Sequence, residues 1–499
     1  MYVLARDWYT LNISIVMKKN SPSYLLCLSP LLILIILLAY NVVVFGDESL
    51  SGSNQLALLI SATIAAIIGI IFKTTTFQKI LSSVSSSVSS TTPAIIILLL
   101  IGALTGTWLI SGIVPAMIYY GLQILNPKIF FFATAVISAI VSIATGSSWS
   151  TIATIGIALL AIGTALGLPT GLTAGAIISG AYFGDKMSPL SDTTNLAPIV
   201  SGTDLFTHIK YMTYTTIPSF LITLIVFLII GINIKETSIE NTNEILNTIS
   251  NTFNIGGWLF IVPIIVVLLI IKRTPAIAVL ITGILLAGIS TIFFQPDIIK
   301  LIAKSKQIDF YSCYFSIVSS ITGEISINSA SEIKSVKSIM DSLLCSGGMA
   351  GMMNTIWLII CAMIFGGVMQ STGILKRIAG PILKYAKNTG NLIATTAGTC
   401  IFFNLTASDQ YLSIVVPGRM FADSYRKNKL APENLSRTIE DSGTVTSVLI
   451  PWNTCGATQS AILGISTLSY LPFCFFNLIS PIMSIIFGYF NIKIRKLSK

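Results

Sequence analysis

Side chains that can bind a cation and a proton concentrate in one stretch, Gly180 to Pro198, between long apolar segments. This stretch holds the carboxylates of Asp185 and Asp192 and the ammonium of Lys186. Its neutral oxygen donors include Ser188, Ser191, Thr193, Thr194 and Asn195. Oxygen ligands of these kinds replace the hydration shell of a hard cation. Burial disfavours the charged form of a carboxyl group, so the same group can hold a proton when the ion is absent. The stretch predicts a site at which a monovalent cation and a proton compete for one carboxylate.

A second stretch, residues 436–456, has a similar composition. It carries a carboxylate at Asp441, a hydroxyl at Thr444 and an amide at Asn453. We expect these three residues to belong to the same site. Glu440 adjoins Asp441, and neighbouring residues on a helix point in different directions, so we leave Glu440 outside it.

Two short polar breaks, residues 145–151 and 406–410, interrupt apolar segments. Each could place a helix N-terminus, the positive end of the helix dipole, at the site. Asp409 lies in the second break, and a charge flanked by apolar segments calls for a functional reason. We therefore add Asp409 to the predicted cation- and proton-binding residues.

Structural roles are the alternative for these polar residues. Asp185 and Lys186 could form an ion pair near a helix end while Asp192 caps a helix. Glu440 could pair with Arg437, one helical turn away. The serines and threonines of the two breaks could serve only as helix caps and packing residues.

The composition is that of a membrane protein. Of 499 residues, 54% are hydrophobic and 10% are charged, whereas a soluble domain carries about a quarter charged residues. The lipid bilayer is the expected partner, and the net charge of +10 indicates cationic cytoplasmic loops, not nucleic-acid binding. Irregular polar backbone at membrane depth is tolerated only where it is buried in protein or lines a cavity. We therefore expect residues 180–198 to form a broken helix.

The predicted fold is an all-α polytopic membrane protein, an inverted-repeat secondary transporter with discontinuous helices and roughly 11–14 membrane segments. The expected divisions are an N-terminal cytoplasmic segment at 1–23, a first transmembrane repeat at 24–233, a polar connecting loop at 234–256, a second transmembrane repeat at 257–492 with a long loop at 295–350, and a cytoplasmic basic tail at 493–499. Clusters of Lys and Arg place both termini in the cytoplasm.

An internal repeat supports this division. The segment Gly106-Thr-Trp-Leu-Ile-Ser-Gly112 matches Gly367-Val-Met-Gln-Ser-Thr-Gly373, and the polar breaks at Thr145 and Thr406 are separated by the same 261 positions. Along the chain, the second matched segment is the seventh predicted membrane span after the first. Because successive spans alternate in direction and seven is odd, the two matched segments cross the membrane in opposite directions. The repeat also suggests that Asp185 lies near the position equivalent to Asp441, and Asn195 near that of Asn453.

Two other stretches are expected to lie outside the site. His208 is predicted to be a solvated residue in a cytoplasmic connection, and residues 82–92 to be a polar linker. No nucleotide-binding loop, zinc spacing or nucleophile motif is present in the sequence. We therefore expect a transporter, not an enzyme.

Several of these segments resemble the NhaC family of Na+/H+ antiporters, within the larger ion-transporter superfamily. The most specific is Gly184-Asp185-Lys-Met-Ser188-Pro-Leu-Ser191-Asp192-Thr-Thr-Asn195. Segments from Gly102 to Gly121, from Thr145 to Ser150, from Ser346 to Met349 and from Glu440 to Asn453 are also similar to family segments. The resemblance covers the chain from about residue 24 to 490.

The resemblance implies exchange of cytoplasmic Na+ for external protons in a bacterial plasma membrane, with no cofactor and with a homodimeric assembly. Asp185, Asp192 and Asp441 would share the transported Na+ and the proton. Neutral oxygens would come from Ser188, Thr193, Thr194, Asn195, Thr444 and Asn453.

Two other functions stay open at this point. The same family includes exchangers similar to malate/Na+-lactate antiporters, which would need a site for a substrate carboxylate, such as Arg419 or Lys186. A passive cation channel would conduct ions without coupling them to protons.

Overall fold

The computed structural model describes residues 22–45, 52–124, 126–234, 239–272, 274–327, 337, 340–341, 343–379 and 388–497. Within these ranges the chain is an all-α polytopic membrane protein, as predicted. Most of the predicted N-terminal segment 1–23 lies outside the described residues, as do residues 235–238 of the connecting loop, residues 328–336 of the long loop and the last two residues of the basic tail.

The described helices of the first half are α1 (Tyr24–Phe45), α2 (Ser53–Ile71), α3 (Phe77–Ser90), α4 (Thr92–Ile110), α5 (Ile113–Ile124), α6 (Phe130–Thr145), α7 (Ser148–Ala165), α8 (Thr170–Met187), α9 (Asp192–Ser201) and α10 (Leu205–Asn233). Those that follow are α11 (Ile239–Thr252), α12 (Ile261–Ile271), α13 (Ala276–Phe294), α14 (Pro296–Ala303), α15 (Phe310–Thr322), α16 (Gly348–Gly351), α17 (Met353–Ser371), α18 (Ile374–Ala379), α19 (Thr389–Thr406), α20 (Gln410–Lys427), α21 (Pro432–Ile439), α22 (Thr454–Leu463), α23 (Thr467–Tyr470) and α24 (Phe475–Tyr489). Strands β1 (Ile325–Ser326) and β2 (Cys345–Ser346) form a short antiparallel pair.

Eight helices in the described ranges are long and apolar enough to cross a membrane, or ten if two bent helix pairs each count as one span. Four further segments that the apolar pattern of the sequence predicts as membrane segments, 170–198, 390–406, 409–423 and 438–466, are largely helical but do not meet that criterion. The first and last are broken by polar turns, and the middle two carry many polar side chains. The predicted polar linker at 82–92 is wrong, because α3 covers most of it. Ser83 of α3 donates a hydrogen bond to the Gly367 carbonyl at 2.9 Å, which attaches this serine-rich helix to α17.

The internal repeat is visible in the helix boundaries. Helices α4 and α17 each contain 19 residues, and each is followed by a glycine with positive φ, Gly112 at 78° and Gly373 at 73°. Helices α9 and α22 each contain 10 residues and end at Gly202 and Gly464, which are left-handed.

The same boundaries correct the predicted equivalences around the site. The N-cap of α9 is Ser191 and the N-cap of α22 is Asn453. Asn453 is therefore equivalent to Ser191, not to Asn195. By the same register, Asp185 is not equivalent to Asp441. Both pairs had been aligned on composition alone, and similar polar residues on successive turns made that alignment ambiguous.

Helix α8 is buried against α6 through two glycines. A Cβ atom at Gly180 would lie 2.1 Å from the Ala135 carbonyl oxygen, and one at Gly184 would lie 2.4 Å from that of Ala139. Small residues at such positions let helix backbones approach closely in membranes. This contact fixes the last turn of α8, where the polar stretch begins.

Candidate functional site

Asp185 lies in the last turn of α8 and faces the start of α7. Its Oδ2 atom accepts hydrogen bonds from the Ser148 backbone N–H at 3.1 Å and from the Ser148 hydroxyl at 2.6 Å. Ser148 is the first residue of α7, after the cap Ser147. The positive end of a helix dipole stabilises a carboxylate, so the break at 145–151 supports the negative charge of Asp185. The side chain is buried, with 7% of its surface exposed.

In the turn between α8 and α9, several side chains predicted to bind the cation instead form hydrogen bonds with nearby backbone groups. Thr194 donates to the Lys186 carbonyl at 3.1 Å, and the Asn195 side-chain amide donates to the carbonyls of Pro189 and Ser191 at 2.9 and 2.7 Å. Ser188 accepts from the Leu190 N–H at 3.3 Å. These contacts satisfy backbone groups that the broken helix leaves free, so Ser188, Thr194 and Asn195 have structural roles in this turn.

A cavity of about 570 Å³ opens beside this turn. Four of the ten predicted site residues line it: Asp185, Asp192, Thr193 and Asp409. The other lining residues include Ser147, Trp149, Ser150, Ser191, Gln410, Tyr411 and Thr454. Asp192 is exposed, and none of the described lining residues is Lys, Arg or His. The cavity therefore offers three carboxyl groups and several hydroxyls, without a cationic side chain to neutralise them.

Asp409 reaches the cavity from the second half of the chain. It is the N-cap of α20 and accepts a hydrogen bond from the Leu412 N–H at 2.8 Å. Its position is 261 residues after Ser148, the spacing of the internal repeat. Helices α7 and α20 therefore both begin at this cavity. The N-terminus of α7 binds the Asp185 carboxylate, whereas α20 is capped by the carboxylate of its own N-cap, Asp409.

Asp441 lies apart from the cavity, in the π-helical turn Glu440–Thr444 that follows α21. Its carboxylate forms an ion pair with Lys186, and both side chains are fully buried. Thr215 also donates to it, at 2.8 Å, and Ser484 contacts it. The alternative in which Lys186 pairs with Asp185 is therefore excluded, because the Lys186 ammonium pairs with Asp441. The structure does not bring Asp441 together with Asp185 and Asp192, and the described residues contain no group of three or more Asp, Glu, His or Cys that could hold a metal ion.

Thr444 and Asn453 are also buried away from the lining of the cavity. The Asn453 side-chain oxygen accepts from the Cys455 N–H at 3.0 Å, and its amide group donates to the backbone and side-chain oxygens of Asn404, both at 3.1 Å. Asn453 therefore acts as the cap of α22 and joins it to α19.

Glu440, which sequence reasoning left outside the site, lies directly behind the cavity wall. The Thr193 hydroxyl, at the wall, donates to its Oε1 at 3.0 Å. The carboxyl group is fully buried, and its Oε2 atom has no hydrogen-bond partner among the described residues. No described ion pair joins it to Arg437. Its position in a π-helical turn, a feature that recurs at functional sites, is not visible in the sequence.

The roles of Ser148 and His208 depend on packing between distant segments. Ser148 lies in a motif that the sequence singled out, but only the fold shows that it holds Asp185. His208 is fully buried, and its Nδ1 lies 2.8 Å from the Ser436 hydroxyl. The prediction that it is solvated is wrong, because α10 begins at Leu205 and buries this face against α21.

Comparison with known proteins agrees with this architecture. Residues 180–492 match the model of the Na+/H+ antiporter family. The chain is 40% identical to the Na+/H+ antiporter NhaC of Alkalihalophilus pseudofirmus, covering 80% of this chain and 82% of that protein. It is 36% identical to the malate-2H+/Na+-lactate antiporter of Bacillus subtilis, covering 87% of this chain and 89% of that protein. It is 33% identical to the arginine/ornithine antiporter ArcD of Halobacterium salinarum, covering 94% and 93%.

Proposed function

This chain belongs to the Na+/H+ antiporter family, and we propose that it exchanges cytoplasmic Na+ for external protons without a cofactor. The observation that carries the proposal is the cavity lined by Asp185, Asp192 and Asp409. Its described lining contains three carboxyl groups and no cationic side chain, so its electrostatic potential favours a cation over an anion.

Asp185 is the central residue of this proposal. Asp185 and Asp409 are both buried, whereas Asp192 is exposed, and of the three, within the described ranges, only Asp185 accepts hydrogen bonds from the N-terminus of another helix. Its neighbour Lys186 is already paired with Asp441, so no adjacent ammonium cancels its charge. Na+ would bind at Asp185 with the hydroxyl oxygens of Ser147, Ser191 and Thr193 in the same cavity lining. A proton would replace the ion on the same carboxylate during the return step.

Coupling follows from this competition, because one carboxylate cannot hold both ions at once. The two repeats supply the means of alternating access, as in other inverted-repeat transporters. If more than one proton enters for each Na+, net charge moves inward. Each such charge is worth about 2.3 kcal/mol per 100 mV of membrane potential, which would drive Na+ out of the cell.

The remaining parts of the proposal concern the setting of the protein. We place it in a bacterial plasma membrane with both termini in the cytoplasm, as a homodimer, with the two transmembrane repeats dividing near residues 234–256. The clustered cations of the C-terminal tail support this orientation.

Exchange of an organic acid is the second candidate, since one similar relative is a malate/lactate antiporter. A carboxylate substrate would need a cationic partner. Arg419 does not line the cavity, and Lys186 is used by Asp441. These observations favour the cation exchanger.

The test is proton flux in reconstituted vesicles that contain a pH-sensitive dye. Na+, Li+, K+, malate and lactate are added separately to vesicles with an imposed pH gradient. We expect Na+ to release the pH gradient in the absence of malate and lactate. Release that requires malate or lactate would establish the organic-acid exchanger instead, and conductance of Na+ without proton movement would establish a channel.

A further inference from the structure

A second cavity, of about 410 Å³, lies where the C-terminal tail crosses the beginning of α10. Its lining residues are Thr207, Lys210, Tyr211, Tyr214, Lys493, Ile494 and Arg495. Four of them lie on α10 at positions i, i+3, i+4 and i+7, and so on one face of the helix. The described lining residues combine three cations with a hydroxyl and two phenols, and none of them is Asp or Glu. This composition is opposite in charge to that of the first cavity.

Hydrogen bonds hold the tail in place and so give the basic cavity fixed walls. The Tyr211 hydroxyl lies within hydrogen-bonding distance of the Asn434 side-chain oxygen, at 2.7 Å, and of the Lys493 carbonyl. The Arg495 N–H donates to the same hydroxyl at 3.0 Å. The Arg495 carbonyl accepts from the Ala431 N–H, also at 3.0 Å. The tail backbone that carries Lys493 and Arg495 is thus attached to α10 and to the beginning of α21.

The positive charge at this cavity is only partly compensated. Arg495 pairs with Glu433 at 2.8 Å, but Lys210 and Lys493 have no carboxylate partner among the described residues. Arg437 adds a fourth cation behind the wall, with its guanidinium 4.6 Å from the centre of the Tyr211 ring. The Arg437 side chain is fully buried, and its Nε and Nη2 atoms have no hydrogen-bond partner among the described residues.

Exposed apolar side chains lie on α10 beside and after the residues that line the basic cavity, and we call them its apolar border. α10 is long and apolar enough to span a membrane, and the cavity lies along its first ten residues. Phe206, Ile217 and Leu221 of α10 are exposed, as is Phe490 at the end of α24. A phosphate group accepts hydrogen bonds from Lys, Arg and Tyr together, and acyl chains would cover the apolar border.

We propose that this basic cavity binds the phosphate group of an anionic membrane lipid, at one end of α10. The chemistry required is a phosphate anion, and the apolar border favours a lipid headgroup over free phosphate as its source. The proposal is independent of the exchange proposed for the first cavity. Juxtamembrane cations are each worth about 1 kcal/mol toward anionic lipid, so two lysines would contribute a measurable share of the affinity.

The test uses full-length protein in a neutral detergent and a fluorescent phosphatidylglycerol as the probe. The double variant Lys210→Gln with Lys493→Gln removes the two unpaired cations of the cavity. The control, Lys427→Gln with Lys496→Gln, removes the same charge from exposed side chains that do not line it. We expect the probe to bind about thirtyfold more weakly to the first variant and within twofold of wild type to the control, with melting temperatures unchanged in both.

Competitors identify the ligand. Unlabelled phosphatidylglycerol should displace the probe, whereas phosphatidylcholine and inorganic phosphate at millimolar concentration should not. If inorganic phosphate displaces the probe and this displacement requires Lys210 and Lys493, the cavity binds free phosphate and the proposal of a lipid ligand is wrong. Equal losses in both double variants, or equal displacement by phosphatidylcholine, would overturn the proposal.

Discussion

Lys186 of α8 and Asp441 of the turn after α21 form an ion pair in which both side chains are fully buried. The two residues are 255 positions apart, and each belongs to a different half of the chain. Ser480 accepts from Lys186 at 3.1 Å, and Thr215 donates to Asp441 at 2.8 Å. The pair therefore links α8, α10 and α24, and it leaves the adjacent Asp185 without a lysine partner.

Loss of one member of this pair should strongly destabilise the protein. In Asp441→Asn the Lys186 ammonium stays buried without its counter-charge, and such changes cost about 3–5 kcal/mol. The measurement is the free energy of unfolding by denaturant in detergent micelles. The control is Arg426→Gln, which breaks an ion pair with Asp423 whose two side chains are 79% and 82% exposed, and which should change that free energy by less than about 1 kcal/mol. Equal free energies of unfolding for the two variants would show that the buried ion pair stabilises the protein no more than the exposed one.

The contact of α8 with α6 should not tolerate a methyl group. In Gly180→Ala the new Cβ would lie 2.1 Å from the Ala135 carbonyl oxygen, so the helices must separate, at a cost of about 1–3 kcal/mol. Gly398→Ala is the matched control, because no atom lies within 4 Å of a Cβ built there and alanine favours a helix. A thermal unfolding scan should show a lower melting temperature for the first variant and no decrease for the second. A decrease in both, or in neither, would contradict the packing described for α8.

Glu440 should be needed for transport but not for folding. A glutamine side chain can accept the same hydrogen bond from Thr193, but it cannot carry a proton. We expect Glu440→Gln to keep its melting temperature and to show an Na+-dependent proton flux lower by about a hundredfold or more, the size typical of a lost proton-transfer group. Thr193→Val removes the hydrogen bond between the cavity wall and this carboxyl group, so it should also lower the flux. Wild-type flux in Glu440→Gln would exclude a role in proton transfer.

Ser148 should set the strength of Na+ binding through Asp185. Ser148→Ala removes the 2.6 Å hydrogen bond to the carboxylate but keeps the bond from the backbone N–H. Hydrogen bonds to charged groups contribute about 1.5–3 kcal/mol, so the Na+ concentration for half-maximal flux should rise by about tenfold or more. The control is Thr282→Val, whose hydroxyl bonds only to its own helix, at the Ala278 carbonyl. An unchanged half-maximal concentration in Ser148→Ala would mean that this hydroxyl does not act on the ion site.

The sequence was sufficient for the fold class and for the location of the helix breaks. Long apolar runs predict spans directly, and the clustered polar residues at 180–198 and 145–151 could be placed at interruptions because isolated polar groups are costly in a membrane. The internal repeat was also detectable, since matched segments recur 261 positions apart. In the structure, Gly112 and Gly373 follow the two matched helices in a left-handed conformation.

Partner choice within the site could not be predicted in the same way. Lys186 follows Asp185 directly, yet successive helix residues diverge, and the ammonium reaches Asp441 from a segment 255 positions away. Glu440 and Asp441 show the same effect, because one contacts the cavity wall through Thr193 and the other does not. Such pairings depend on helix rotation and packing, which composition does not encode.

The most direct test of the proposed exchange is Na+-dependent proton flux in vesicles reconstituted with Asp185→Asn. Asp204→Asn is the matched control, since Asp204 is an exposed N-cap of α10 outside the cavity, and asparagine caps a helix equally well. We predict that Asp185→Asn folds but shows no Na+-dependent release of the pH gradient, while Asp204→Asn behaves as wild type. Full flux in Asp185→Asn would contradict the assignment of this carboxylate as the shared site for Na+ and the proton.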